Sequence, residues 1–141
     1  MAQKILLVPV DFSESSRRAL AVAKELAAAI GAEVALLHTF EQPFAMGELS
    51  PVIMEQFYAE AVPAANKALD DLAAKEGVKQ TFFREGAPGP EIVDLAKKIR
   101  PQFLVMGTHG HTKLRHLVTG SVAAYVIRHS PVPVITVRDE P

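Results

Sequence analysis

Cysteine is absent from this chain of 141 residues. Disulfide frameworks, thiolate metal sites and cysteine nucleophiles are therefore excluded. Long apolar runs are absent too, since a stretch such as Ile5–Val10 is far shorter than the roughly 20 residues that cross a bilayer as a helix. The amino terminus shows no signal-peptide pattern. These absences predict a soluble cytoplasmic domain.

Acidic residues are missing from one long segment. Between Leu95 and Arg138 there is no Asp or Glu, whereas seven of the fifteen Lys and Arg residues fall there. The rest of the chain has eight basic and sixteen acidic residues, a balance of -8. The acid-free segment indicates a contact with an anion, although ordinary solvated surface gives the same pattern. The total charge of -1 argues against a wholly basic nucleic-acid binder.

Short apolar segments alternate with helical patterns along the whole chain. Strands are predicted at residues 4–10, 33–40, 78–84, 103–106 and 132–137. Helices are predicted from the cap Ser13 to Gly31, from Ser50-Pro51 towards Gly77, from Ile92 to Ile99 and from about Ser121 to His129. Pro63 should kink or divide the second helix, and Pro133 should place the last strand at a sheet edge.

This alternation predicts a doubly wound α/β domain that covers residues 1–141. Parallel strands need crossover connections, so the expected architecture is an open five-stranded parallel sheet with helices on both faces. In such sheets a ligand binds beyond the carboxyl ends of the strands, where the strand order reverses.

Glycines are concentrated in the loop after the fourth predicted strand, at Gly107, Gly110 and Gly120, and Ser121 follows the last of them. Glycine lets a backbone approach a phosphate closely, and free amides of Gly120, Ser121 and Val122 at a helix start would favour an anion. The spacing predicts a phosphate site. Turn chemistry alone would also place glycines at a strand end and a helix start.

Asp11 ends the first predicted strand and would face this loop if the first and fourth strands are neighbours. Its carboxylate would accept hydrogen bonds from ribose hydroxyls or would cap the first helix together with Ser13. His109, His111 and His116 crowd the loop, but no carboxylate or thiol accompanies them. They are therefore expected to contact a phosphate or to be simply exposed, rather than to form a zinc site.

Several enzyme motifs are missing. The sequence has no P-loop, no Gly-x-Gly-x-x-Gly after the first strand and no Gly-x-Ser-x-Gly elbow. Glu14 and Asp94 are interpreted as a first-turn charge and a solvated helix face rather than as a catalytic pair. His38, within the second strand, is expected to be a packed core histidine.

Five motifs are spread over the chain: KILLVPVDFSESS at 4–16, LLHT at 36–39, GAP at 86–88, VMGTHG at 105–110 and TGSVA at 119–123. Together they resemble the universal stress protein family. The Gly-x2-Gly-x9-Gly-Ser pattern resembles that of the family members that bind ATP. The resemblance implies a Rossmann-like sheet, similar to the adenine nucleotide alpha hydrolases, with strand order 3-2-1-4-5.

The resemblance also implies a site for ATP, or for ADP or AMP, with Mg²⁺. In this site Pro9 and Val10 would line the base pocket, Asp11 would contact the ribose and the backbone of Thr39 would meet the adenine edge. Gly107 and Gly110 would lie along the ribose and phosphates, and Gly120, Ser121 and Val122 would hold the phosphates. Thr39 replaces the family's usual valine, which a main-chain contact tolerates.

The function expected from the resemblance is a nucleotide-dependent regulator or sensor of the stress response with little or no turnover. One alternative is a slow ATP hydrolase or phosphotransferase in which His109 or His111 performs acid/base work with Mg²⁺. Another is a dimeric interaction module without nucleotide. The family forms dimers through its last strand, so a homodimer and a regulatory protein partner are expected, and nucleic acid is not.

Overall fold

Five parallel strands and four helices alternate along the chain in the computed structural model, which describes residues 3–41, 50–109 and 120–138. The elements are β1 (Ile5–Pro9), α1 (Glu14–Ile30), β2 (Glu33–Phe40), α2 (Pro51–Glu76), β3 (Gln80–Glu85), α3 (Pro88–Ile99), β4 (Phe103–Gly107), α4 (Ser121–His129) and β5 (Val134–Val137). The sheet order is β3-β2-β1-β4-β5, which confirms the predicted order and fold class.

Each face of the sheet carries its own apolar core. Leu7, Leu37 and Leu104 pack beneath α3 and α4, while Val8, Leu36 and Val105 pack beneath α1 and α2. Successive strand residues point to opposite faces, so the apolar runs that the sequence shows are buried on both sides. The strand order reverses between β1 and β4, which pair directly. The structure therefore has a switch point at the carboxyl ends of these two strands.

Local capping explains where the first two long helices begin. The side chain of Ser13 accepts a hydrogen bond from the Ser16 amide at 3.2 Å, and the side chain of Ser50 accepts one from the Ile53 amide at 3.3 Å. Pro51 then occupies the first turn of α2, where its missing N–H costs nothing. The caps predicted at Ser13 and Ser50 are therefore confirmed.

Pro63 does not divide α2, which continues from Pro51 to Glu76. A proline inside a helix removes the hydrogen bond to the carbonyl four residues earlier, here that of Ala59. Both Pro63 and Ala59 are exposed, so water can satisfy that carbonyl. The expectation of a division is therefore wrong.

Three boundaries differ from the prediction by two residues or more. Helix α3 begins at Pro88 because prolines are tolerated in a first turn, where their N–H would have no helical acceptor. Strand β3 begins at Gln80, since the amide of Val78 still bonds to the carbonyl of Ala73 at the end of α2. Strand β5 begins at Val134, so Pro133 precedes it, and β5 lies at the sheet edge as predicted.

None of the helices among the described residues combines the length and hydropathy needed to span a bilayer.

Gly107 lets α1 approach the end of β4 closely. A Cβ there would collide with Oγ of Ser15 and lie 3.0 Å from the Ser15 carbonyl oxygen. The Ser15 hydroxyl is buried in this contact and has no hydrogen-bond partner within the part of the chain that the structure describes. The neighbouring hydroxyl of Ser16 is also buried, but it donates to the carbonyl of Ser13 at 3.0 Å.

These two serines predict opposite effects of one substitution. Ser15→Ala should raise the free energy of unfolding by about 1 kcal/mol, because it removes a buried hydroxyl without a partner. Ser16→Ala should lower it by about 1 kcal/mol, because it removes a satisfied one. Urea denaturation of both variants provides the comparison. A loss of stability in Ser15→Ala equal to that in Ser16→Ala would contradict the assignment.

Candidate functional site

A cleft of about 290 Å³ opens at the switch point, a size at the lower end of small-molecule sites. The carboxyl ends of β1, β2 and β4 and the first turns of α3 and α4 enclose it. Of the predicted site residues, the cleft is lined by Pro9, Val10, Asp11, Thr39, Gly107, Gly120, Ser121 and Val122. Gly110 lies outside the described residues, as do His111 and His116.

Asp11 lines the cleft and also organises the turn into α1. Its Oδ1 accepts hydrogen bonds from the amide of Ser13, at 3.0 Å, and from the hydroxyl of Ser13. The amide of Asp11 donates to Oγ of Ser16 at 3.4 Å. Asp11 therefore supports the N-cap residue Ser13 without capping a helix amide itself, and its contact with ribose stays a prediction.

The turn after Asp11 forces Phe12 into the left-handed region, with φ of 65°. A bulky residue adopts this conformation only where its surroundings hold it. The ring of Phe12 packs against the His38 ring with centroids 4.7 Å apart, and His38 also contacts Phe83 at 5.8 Å. His38 is therefore a packed histidine, as predicted.

His38 also has a supporting role that sequence reasoning missed. Its Nδ1 lies 2.8 Å from the carbonyl oxygen of Val10, so Nδ1 carries the proton that this bond requires. Val10 lines the cleft, and its own amide donates to the carbonyl of Leu37 at 2.8 Å. The end of β1 is thus held by a side chain and by β2. The sequence gives no sign of this role, because it depends on the position of His38 beside the end of β1 in the folded sheet.

Thr108 connects three parts of the site. Its amide donates to the carbonyl of Val137 at 3.2 Å, and its carbonyl accepts from the amide of Gly120 at 2.6 Å. Its Oγ1 lies 3.1 Å from Nδ1 of His109, which also lines the cleft. The sequence motif contains Thr108, but its spacing gives no sign of this bridge.

The bridge changes the role expected for Gly120. Its amide is engaged by Thr108, so it does not present a free donor as the sequence prediction required. A Cβ at Gly120 would lie 2.8 Å from the Thr108 carbonyl oxygen. Gly120 caps α4, whose first-turn amides at Ser121 and Val122 have no acceptor within the helix. Of the three amides predicted to hold phosphate, these two therefore remain without an acceptor in the helix, and their contact with phosphate stays a prediction.

The cleft has two chemically different ends. An apolar wall is formed by Leu37, Pro88, Ile92 and Met106. Three of these residues lie in the motifs named above, but none of the four was predicted as a site residue. The start of α4 lies at the other end, where the helix dipole supplies partial positive charge and the first turn holds no acidic residue.

Charged groups are few in this cleft. Asp11 is the one acidic side chain among the described lining residues, and none of them is Lys or Arg. Within residues 3–41, 50–109 and 120–138 there is also no group of three or more His, Asp or Glu side chains that could hold a metal ion. Among the described lining residues, the groups that can donate to an anion are therefore backbone amides, hydroxyls and His109.

The Gly120 contact generates a prediction about stability without ligand. Gly120→Ala should lower the free energy of unfolding by about 1–3 kcal/mol, because backbone at Thr108 must move to admit the Cβ. Ser121→Ala, one residue later, is the matched control and should change stability by less than about 0.5 kcal/mol. Equal stability of both variants in thermal unfolding would show that the junction does not need glycine.

Comparisons with known proteins agree on one family. The model of the universal stress protein family matches residues 2–138. Universal stress protein MJ0531 of Methanocaldococcus jannaschii is 34% identical over 139 residues, which cover 96% of this chain and 82% of that protein. The solved structure of MJ0577 from the same organism has a TM-score of 0.85 at 27% identity, and the match covers 100% of this chain and 99% of the MJ0577 chain. A universal stress protein solved in complex with cAMP has a TM-score of 0.64 at 26% identity, covering 99% and 100%. The chain therefore belongs to the universal stress protein family.

Proposed function

We propose that this protein binds ATP in the switch-point cleft and acts as a nucleotide-dependent regulator or sensor of the stress response with little or no turnover. One observation carries the proposal: the cleft joins Asp11 at the end of β1, Thr39 on β2 and the open amides at the start of α4. These groups match the ribose, base and phosphates of a nucleotide in that order.

The two ends of the cleft support this orientation. Leu37, Ile92 and Met106 offer apolar contacts to the faces of a base, while the backbone of Thr39 offers hydrogen bonds to its edge. Phosphate suits the other end, because the amides of Ser121 and Val122 point out of a helix N-terminus. Asp11 lies with both groups in the cleft, where its carboxylate can accept from ribose hydroxyls.

The relatives support an adenine nucleotide. One universal stress protein of similar fold was solved in complex with cAMP, which contains adenine, ribose and a phosphate. The glycine pattern of this chain resembles that of the family members that bind ATP. Mg²⁺ commonly binds to phosphate oxygens with one or two protein carboxylates. The nucleotide phosphates would be its main ligands here, since Asp11 is assigned to the ribose, and the ion would neutralise phosphate charge.

The described lining offers little for hydrolysis. A general base must reach the attacking water, but in this proposal the Asp11 carboxylate is engaged by Ser13 and by the ribose. One observation favours the alternative of a slow hydrolase or phosphotransferase, namely His109 beside Oγ1 of Thr108 at the cleft wall. Steady ATP turnover that is lost in His109→Gln would favour that alternative.

The ribose contact can be separated from the support that Asp11 gives to the cap of α1. The two test ligands are 2′-deoxy-ATP and 3′-deoxy-ATP, and one of them lacks the ribose hydroxyl that donates to the Asp11 carboxylate. Wild-type protein should bind ATP about tenfold more tightly than that analogue. Asp11→Ala should bind ATP and that analogue equally, since the contact is lost on either side of the pair. Calorimetric titration gives all the affinities.

Ser13→Ala is the control for that experiment. It removes the capping partner but keeps the carboxylate, so it should retain the preference for the ribose hydroxyl. If Asp11→Ala keeps the full preference between ATP and each deoxy analogue, Asp11 acts only on the α1 turn.

We also propose a homodimer through β5. This strand pairs with β4 on one side only, so its other side is an open edge. The carbonyls of Pro133 and Val137 accept hydrogen bonds from amides at Leu104 and Thr108. Backbone groups alternate in direction along a strand, so the amide of Thr136 faces the open edge. An open apolar edge invites pairing with a second chain. Thr136→Pro should remove one outward donor and shift the protein towards monomer in sedimentation equilibrium, whereas Thr136→Val should not. A monomeric wild type would contradict the proposal.

A further inference from the structure

A second cavity, of about 280 Å³, lies away from the cleft at the end of β2 and β3. Phe40, Tyr58, Glu85 and Gly86 line it. None of these residues belongs to the nucleotide site, and the proposed function does not use them. Two aromatic rings and a carboxylate around one opening have the chemistry that recognises an organic cation.

The rings form two adjoining walls. The ring centroids of Phe40 and Tyr58 are 5.8 Å apart, and their planes meet at 62°. Behind them Phe57 contacts both rings, and Phe83 stacks on Phe40 at 6.5 Å. Both wall rings are half-buried and held by these neighbours, so they are oriented before a ligand arrives.

The carboxylate lies beside one of these walls. Phe40 and Glu85 are register partners on β2 and β3, so their side chains leave the same face of the sheet. The amide of Gly86 donates to the carbonyl of Phe40 at 2.9 Å, which fixes the two strand ends together. The positions of ring and carboxylate are therefore set by backbone pairing.

Two carboxylates lie at this corner, and neither forms an ion pair among the residues that the structure describes. The side chain of Glu91 packs against Gly86, with Cγ 2.9 Å from the position of a Cβ there. Within the described ranges, the ion pairs join Lys24 to Glu76, Lys67 to Asp71 and Lys98 to Asp94, and involve neither Glu85 nor Glu91. The cavity thus lies in the acidic part of the chain, opposite in character to the phosphate end of the cleft.

From this geometry we infer that the cavity binds an alkylammonium group, with its charge against the faces of Phe40 and Tyr58 and the carboxylate of Glu85. A ring face attracts a cation through its quadrupole, and the attraction grows where water is partly excluded. A methylated ammonium suits the site best, because its methyl groups contact the rings while the charge remains diffuse. The ammonium can belong to a free small molecule or to a methylated lysine of a protein.

Choline and its uncharged carbon isostere 3,3-dimethylbutanol test this inference on the wild-type protein. Choline should shift the amide NMR signals of Phe40, Tyr58 and Glu85, with an affinity about tenfold above that of the isostere. Equal affinities for choline and the isostere would overturn the inference, because shape rather than charge would then determine binding. No shifts at these residues with choline would overturn it as well, because nothing would then bind in the cavity.

Four variants assign the contributions. Glu85→Gln and Tyr58→Leu should each weaken choline by about fivefold or more, whereas Tyr58→Phe should bind as wild type because it keeps the ring face. Glu60→Gln, an exposed carboxylate on the same helix, is the charge control and should have no effect. Unchanged choline affinity in folded Glu85→Gln and Tyr58→Leu would overturn the assignment.

A peptide that contains trimethyllysine distinguishes the two sources of the cation. Binding at least about tenfold tighter than that of choline would identify a protein ligand, since the peptide adds contacts beyond the ammonium. Weaker binding than choline would identify a free small cation. Both results require shifts at Phe40 and Tyr58, and peptide binding elsewhere would count against the cavity.

Discussion

The backbone of Thr108 is the constraint on which the candidate nucleotide site depends. Its carbonyl holds the amide of Gly120 at the start of α4, and its amide holds the carbonyl of Val137 at the end of β5. These two bonds join the end of β4 to the helix that offers anion donors and to the edge strand. They fix the first turn of α4 relative to Asp11 and Thr39, while the buried Ala123 and Val126 hold the rest of that helix on the sheet.

The motif glycines have structural reasons that are separate from ligand approach. Gly107 allows α1 to contact the end of β4 at Ser15, and Gly120 allows the start of α4 to contact Thr108. Both close approaches bring backbone to the rim of the cleft. A substitution at either glycine would therefore change the packing first and nucleotide binding as a consequence, so loss of binding in such a variant does not by itself locate a phosphate.

Much of the fold follows from the sequence because apolar runs and caps are local signals. The runs at Ile5 and Phe103 read as buried strands, and Ser13 begins α1 as its position predicts. Pro63 misled the prediction because a sequence does not show that this position faces water. Of the eight predicted residues that line the cleft, five follow from their position and spacing in the sequence, and Pro9, Val10 and Thr39 follow from the family resemblance alone. The contacts of His38 and Thr108 depend on tertiary pairing, which residue spacing does not indicate.

The central claim is that α4 holds phosphates while the other end of the cleft holds the nucleoside. Ser121→Asp tests it most directly, because an acid in a first turn favours the helix by about 0.3–1 kcal/mol but repels a phosphate. The account predicts that ATP binding, measured by calorimetry, weakens by about tenfold or more relative to Ser121→Asn, while adenosine binding is unchanged. Equal ATP affinities in the two variants, or an equal loss for adenosine, would contradict it.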